Sequence, residues 1–137
     1  MPILNDMEHF IKNLENFPID SKLFENIFRK YQVKIKRFGK NDSKRLAEGI
    51  FFGLPGAVTF KFGENNYEFL FIFEENTQIT VDLDSCVERF GNFEKIISKR
   101  GGVSYAFIIG KLKFIVCSED TQSRSILFSS LIFAEQR

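Results

Sequence analysis

The residues able to do chemistry are few in this chain, and their spacing narrows what they can do. His9 is the sole histidine among 137 residues. Acid–base work near neutral pH most often uses imidazole, and nucleophilic triads set one beside Ser or Cys. No Ser or Cys neighbours His9 in sequence, and it falls in the first turns of a predicted helix. It therefore reads as a solvent-exposed surface residue, and one histidine leaves no histidine-based zinc site. The best carboxylate pair is Asp82-Leu83-Asp84, with Glu88 one helical turn beyond. Acids flanking an apolar residue at a strand end can share the divalent cation that phosphoryl transfer requires. The plainer reading is preferred, with Asp84 capping a helix and Asp82 on the polar face of its strand. Gly53-Leu-Pro-Gly56 has the form of the GxxG loop that clamps a nucleic-acid backbone in KH domains. That loop joins two helices, whereas this one lies between predicted strands, so a turn is expected. No Walker A, dinucleotide-binding, zincin or calcium-loop motif occurs, and neither catalysis nor a cofactor is expected.

The strongest binding signal is a run of charge. Arg29, Lys30, Lys34, Lys36, Arg37, Lys40, Lys44 and Arg45 stand against the single acid Asp42. That segment carries +7, so with a chain total of +1 the remainder carries −6. Part of the run has a structural explanation. Cations at a helix C-terminus complement the macrodipole, and lysines on an edge strand deter aggregation. The functional alternative is contact with phosphate, with Tyr31 or Phe38 stacking on bases, or contact with an anionic protein.

The two cysteines, Cys86 and Cys117, lack metal-ligand spacing and read as reduced core thiols, a single disulfide being the alternative. The N-terminus has no basic or apolar signal region and no apolar run approaches a membrane span, so a cytoplasmic location with no membrane partner is expected. Length and composition fit one domain over 1–137.

The elements that must position these residues are written largely in phenylalanine, of which there are 18, with no Trp. Each buried ring is worth roughly 1.5–3 kcal/mol. Phe10, Leu14 and Phe17 have helical spacing, ended by Pro18. Leu23, Phe24, Ile27, Phe28 and Tyr31 predict a second helix, and the two together a helical hairpin. Alternation then predicts strands through 33–38, 46–54, 58–62, 67–73 and 77–83. Leu70 and Ile72 oppose Tyr67, Phe69, Phe71 and Phe73, as in a central strand covered on both sides. Val87, Phe90 and Ile97 predict a bent helix from Asp84-Ser85 to Gly101-Gly102. Val103–Ile109 and Lys111–Cys117 predict a hairpin about Gly110, and Arg124–Glu135 a C-terminal helix. On that helix Ile126 and Phe133 fall off the core side as a candidate association patch.

The expected class is thus α+β: a mostly antiparallel sheet of five to six strands carrying an N-terminal helical hairpin, one mid-chain helix and a C-terminal helix. This order of elements is similar to the helix–strands–helix–strands–helix plan of class I type III secretion chaperones, which implies capture of a protein; those chaperones are typically acidic and this chain is not. Abundant Phe, Ile, Lys and Asn, all encoded by AT-rich codons, point to a bacterial or phage gene of the kind that encodes immunity proteins. The expected function is a small non-catalytic protein-binding module, an immunity or inhibitor protein whose partner is a toxin. Contacts are expected from Arg29, Lys30, Lys34, Lys36, Arg37, Lys40, Ile126 and Phe133. The alternatives are nucleic-acid binding through 29–45, a secretion-chaperone-like role, and metal-dependent phosphoryl transfer using Asp82, Asp84 and Glu88. Monomer and homodimer both remain open.

Overall fold

The computed structural model describes residues 2–18, 22–29, 31, 33–40, 43–64, 66–74, 80–99, 102–118 and 125–136. In chain order the elements are α1 (Pro2–Leu14), α2 (Leu23–Phe28), β1 (Lys34–Phe38), β2 (Lys44–Phe51), β3 (Leu54–Gly63), β4 (Asn66–Phe73), β5 (Thr80–Asp82), α3 (Leu83–Phe90), β6 (Phe93–Ile97), β7 (Val103–Ile109), β8 (Leu112–Ser118) and β9 (Ser125–Gln136). One nine-stranded antiparallel sheet runs β1-β2-β3-β4-β9-β8-β7-β6, with the short β5 paired to β9. It consists of two four-stranded meanders, β1–β4 and β6–β9, each preceded by a helix and joined last strand to last strand.

Turn chemistry fixes the registers. Phe51 pairs with Leu54, leaving Phe52 and Gly53 as a two-residue turn with φ of 55° and 80°. Positive φ at both positions is the type I′ geometry that matches strand twist. Phe52 is an unusual residue to hold it, and its burial explains why it can. Its ring packs against Phe10 at 5.6 Å and Phe71 at 4.9 Å. At Gly56 a Cβ would lie 2.5 Å from the Ile72 carbonyl oxygen, so the close approach of β3 to β4 requires glycine there.

All three helices pack on one face, which is lined by rings. Cross-strand register places Phe60, Phe69, Phe133, Phe114, Phe107 and Phe93 in one row, one ring from each of six consecutive strands. Phe114 stacks on Phe133 at 4.8 Å and Phe60 lies 4.6 Å from Phe69. From α1, Phe10 sits edge-on to Phe69, Phe71 and Phe133 at 4.7–5.5 Å. Phe24 and Phe28 of α2 cover Phe60 and Phe51, and Phe90 of α3 covers Phe107 and Phe114. Offset and edge-to-face pairs of this kind add about 0.5–1.5 kcal/mol each to plain burial.

This architecture corrects the expected class in three respects. The described residues form eight strands in the main path plus β5, not five to six. The predicted C-terminal helix is β9, a central strand between β4 and β8. Its run Leu131-Ile132-Phe133-Ala134 is apolar on both faces, and a continuous apolar run carries no period by which to tell strand from helix. The resemblance to secretion chaperones fails at this element. The N-terminal helices do not form a hairpin either, because α2 spans six residues, about 9 Å, too short to pair along α1. The mid-chain helix stops at Phe90, where Gly91 (φ 90°) donates to the Val87 carbonyl at 2.8 Å. The residues read as its second half are β6.

Candidate functional site

The face of the sheet opposite the helices decides what the protein can offer. Its side chains follow directly from register. One row reads Lys36, Leu46, Thr59, Leu70, Ile132, Ile115, Ala106, Glu94. The next reads Lys34, Glu48, Ala57, Ile72, Ser130, Cys117, Ser104, Ile96. Between β3 and β7 neither row contains a charge. No described helix covers this surface. Ile72 is 51% exposed, and Ile50 and Ile108, also on this face, are 58% and 62% exposed. Leu70 and Ile72 therefore correct the expectation of a strand covered on both sides: only the ring-bearing side is.

Lysines border this uncharged centre. Lys34 and Lys36 project from edge strand β1 on the open face, and the next row continues Phe38, Lys44, Lys61, Glu68. Phe38 is 41% exposed, with the Lys44 ammonium 5.9 Å from its ring centroid. Lys61 is paired with Glu68 at 3.1 Å. Phe38 and Tyr31 do not share a surface, since Tyr31 packs at 5.1 Å on Phe28 on the helix side.

The basic segment thus divides between structure and surface. Arg37 and Arg45 are register neighbours on the helix side, and both turn to Glu25 of α2. Arg45, 3% exposed, donates from Nε to Glu25 Oε1 at 2.8 Å and from Nη1 to the Lys44 carbonyl at 3.0 Å. Arg37 lies 3.6 Å from the same oxygen. These two arginines anchor β1 and β2 to α2. Arg29 donates to Asn26 at 3.2 Å, Lys40 is exposed beyond β1, and Lys30 lies outside the described residues.

Of the expected association patch, Phe133 does not reach the surface. Phe133 is fully buried at the centre of the ring row, because β9 is a strand whose odd residues face the helices. Ile126 pairs with Val81 through its backbone, and its side chain lies outside the described part. The carboxylates resolve as a cap. Asp82, not Asp84, is the N-cap of α3, its Oδ2 accepting from Ser85 N and Ser85 Oγ, each at 3.0 Å. Asp84 and Glu88 are exposed, and no group of three potential ligands that could hold a metal occurs among the described residues. Both cysteines are free. Cys86 is on the buried side of α3, where burial and then Asp82 push its thiol up to about 11. Cys117 is half-buried on the open face rather than in the core.

Among the concavities of the described residues, one brings the lone histidine together with other polar side chains. A groove of about 250 Å³ lies between α1, the end of α2 and the β2–β3 turn, and His9 lines it with Asp6, Asn13 and Tyr31. The spacing of Asp6, His9 and Asn13 along one helix face was the available signal. Their facing partners come from distant parts of the chain. Among the described residues, no helix is long and apolar enough to cross a membrane. No protein-family model, curated protein or solved structure matches the chain.

Proposed function

We propose that this protein is a non-catalytic binding module that captures one protein partner on the uncovered face of its sheet. The observation that carries the reading is the uncharged double row across β3 to β7, apolar or small throughout and covered by no described element. Eight strands about 4.8 Å apart and some 20 Å long give a face of roughly 700 Å². A standard protein–protein interface takes about 800 Å² per partner; the uncharged centre, five strands wide and two rows deep, is roughly 300 Å² of the face, a size at which apolar patches on single chains are often functional. The border formed by Lys34, Lys36, Lys44 and Lys61 assigns the partner an acidic rim opposite β1, which favours fast, salt-sensitive association. An immunity or inhibitor role is the form this takes when the captured protein is a toxin.

The same border and the exposed Phe38 favour a second reading, single-stranded nucleic acid lying along β1. The uncharged centre favours protein, because nucleic-acid platforms set several aromatic rings under successive bases, and Phe38 alone supplies one here among the described residues.

Affinity capture with wild type and with an Ile72→Glu/Ile108→Glu variant tests the proposal. Wild type recovers a stoichiometric complex that weakens with salt, the variant does not, and complex formation shields Cys117 from alkylation. Free protein alone at mild salt, or undiminished capture by the variant, overturns it. A low-salt shift of oligonucleotide probes that is lost in Lys34→Glu/Lys36→Glu would transfer the assignment to nucleic acid.

A further inference from the structure

Asp6, His9 and Asn13 lie on one face of α1 at spacings of three and four residues, the spacing that brings helical side chains into line. With Tyr31 they rim the groove of about 250 Å³, whose wall includes Phe10 and Phe52. We infer that this groove is a binding site for a primary ammonium group carried on a short apolar stem.

Charge and hydrogen-bonding capacity select the ligand class. Asp6 is the single acid on the rim, and no lysine or arginine lines it. Asp6 forms no ion pair among the described residues. Two further rim groups can accept: the Asn13 carbonyl and the Tyr31 oxygen. A primary ammonium brings three donors and one positive charge to such a set. An anion would meet the Asp6 carboxylate with no lysine or arginine beside it. Tyr31 is held above the ordinary tyrosine value by burial and then by Asp6, which places the carboxylate within electrostatic reach of the phenol.

The apolar wall is rigid. Phe10 makes ring contacts with Phe28, Phe52, Phe69, Phe71 and Phe133 at 4.7–6.2 Å. Phe52 is fixed at φ 55° by the burial of its ring. A pre-formed wall lowers the ordering cost of binding. The volume is below the range of about 300–1,000 Å³ usual for drug-sized ligands, so the occupant is a small arylalkyl amine or a single lysyl side chain. Both present the same ammonium.

Two-dimensional NMR titration of the full chain with phenethylamine, N-acetyl-lysine amide, phenethyl alcohol and phenylacetate tests this. At least one amine shifts the amide signals of Asp6, His9, Asn13 and Gly53 saturably, while the alcohol and the acid bind at least ten-fold more weakly. Asp6→Asn weakens the amine at least ten-fold with the other cross-peaks unmoved, which reports an intact fold, and Asn13→Ala weakens it less. Tighter binding of phenethylamine assigns a free amine as the source, and tighter binding of the lysine derivative assigns a protein side chain. Equal binding of the alcohol, no effect of Asp6→Asn, or no saturable shift with either amine overturns the inference. The open-face reading stands or falls separately, since Asp6, His9, Asn13 and Tyr31 do not lie on that face, although Ile50 borders both.

Discussion

Phe71 and Ile72 are consecutive residues of the same central strand, and they offer a direct test of a sheet covered on one side. The side chain of Phe71 is fully buried, with rings of Phe10, Phe28, Phe51, Phe52 and Phe133 at 4.9–6.2 Å. Truncation to alanine removes the transfer energy of the ring and leaves a cavity that five packed rings cannot collapse into. The expected cost is therefore near the upper part of the usual range of about 3–5 kcal/mol. Ile72 is 51% exposed on the other face. A fully buried Ile→Ala costs about 2–5 kcal/mol, and half-exposure with no enclosed cavity reduces that to about 1 kcal/mol or less. Urea unfolding followed by linear extrapolation resolves the difference. At a slope of about 2 kcal/mol/M, Phe71→Ala lowers the midpoint by about 2 M and Ile72→Ala by at most 0.5 M. Equal losses, or a concentration-dependent midpoint lost in Ile72→Ala, would show that the open face is already covered and would refute the reasoning.

Two further measurements probe the same framework. Glu25→Gln leaves the buried Arg45 guanidinium without its carboxylate and is expected to cost about 3 kcal/mol, whereas the double variant Glu25→Gln/Arg45→Met should recover much of that loss; strict additivity in the double-mutant cycle would remove the pairing. The Cys86 thiol ionises in the folded protein only near 11 against an ordinary 9.0. A group that titrates higher when folded adds stability below its unfolded value and loses it as pH rises through the folded one. Stability should thus fall by an amount of order 2 kcal/mol between about pH 9 and 11, and Cys86→Ala should flatten that limb relative to wild type. Equal slopes for the two proteins would show that the thiol is not ionising late.

The first meander was legible because its strands alternate, but the turn expected over Gly53–Gly56 is the pair Phe52-Gly53, and Leu54, Pro55 and Gly56 belong to β3. Pairing of β3 with β4 follows from Val58, Phe60 and Phe62 facing Phe71, Phe69 and Tyr67. Legibility ended where a strand is apolar on both faces or too short to show a period. Residues 131–134 could serve a helix stripe equally well, and only their place between β4 and β8 decides for a strand. Phe93–Ile97 is five residues long and follows a true helix, so Val87, Phe90 and Ile97 fell into a helical spacing by coincidence across Gly91. The cap was misplaced by two residues for a related reason. Asp82 and Asp84 both precede Ser85 and Cys86, and the backbone hydrogen bond that distinguishes them is a product of the fold.

The site was less legible than the fold because charge density is a poor guide to exposure when an acid from elsewhere in the chain claims part of it. Glu25 is 12 and 20 positions away from Arg37 and Arg45, yet it draws both to the helix side and leaves Lys34 and Lys36 as the outward part of the run. The apolar signal was present and assigned to the wrong cause. Leu70 and Ile72 alternate with four inward aromatics, and such a strand normally implies a second covering layer. Among the described residues α1, α2 and α3 all lie over the ring row, and β9, read as a fourth helix, lies within the sheet. The central strand thus has two apolar faces, of which the described elements cover one. In the binding role proposed above, Leu70, Ile72, Ile115 and Ile132 would form the contact surface, with the lysine edge as its border and not its centre.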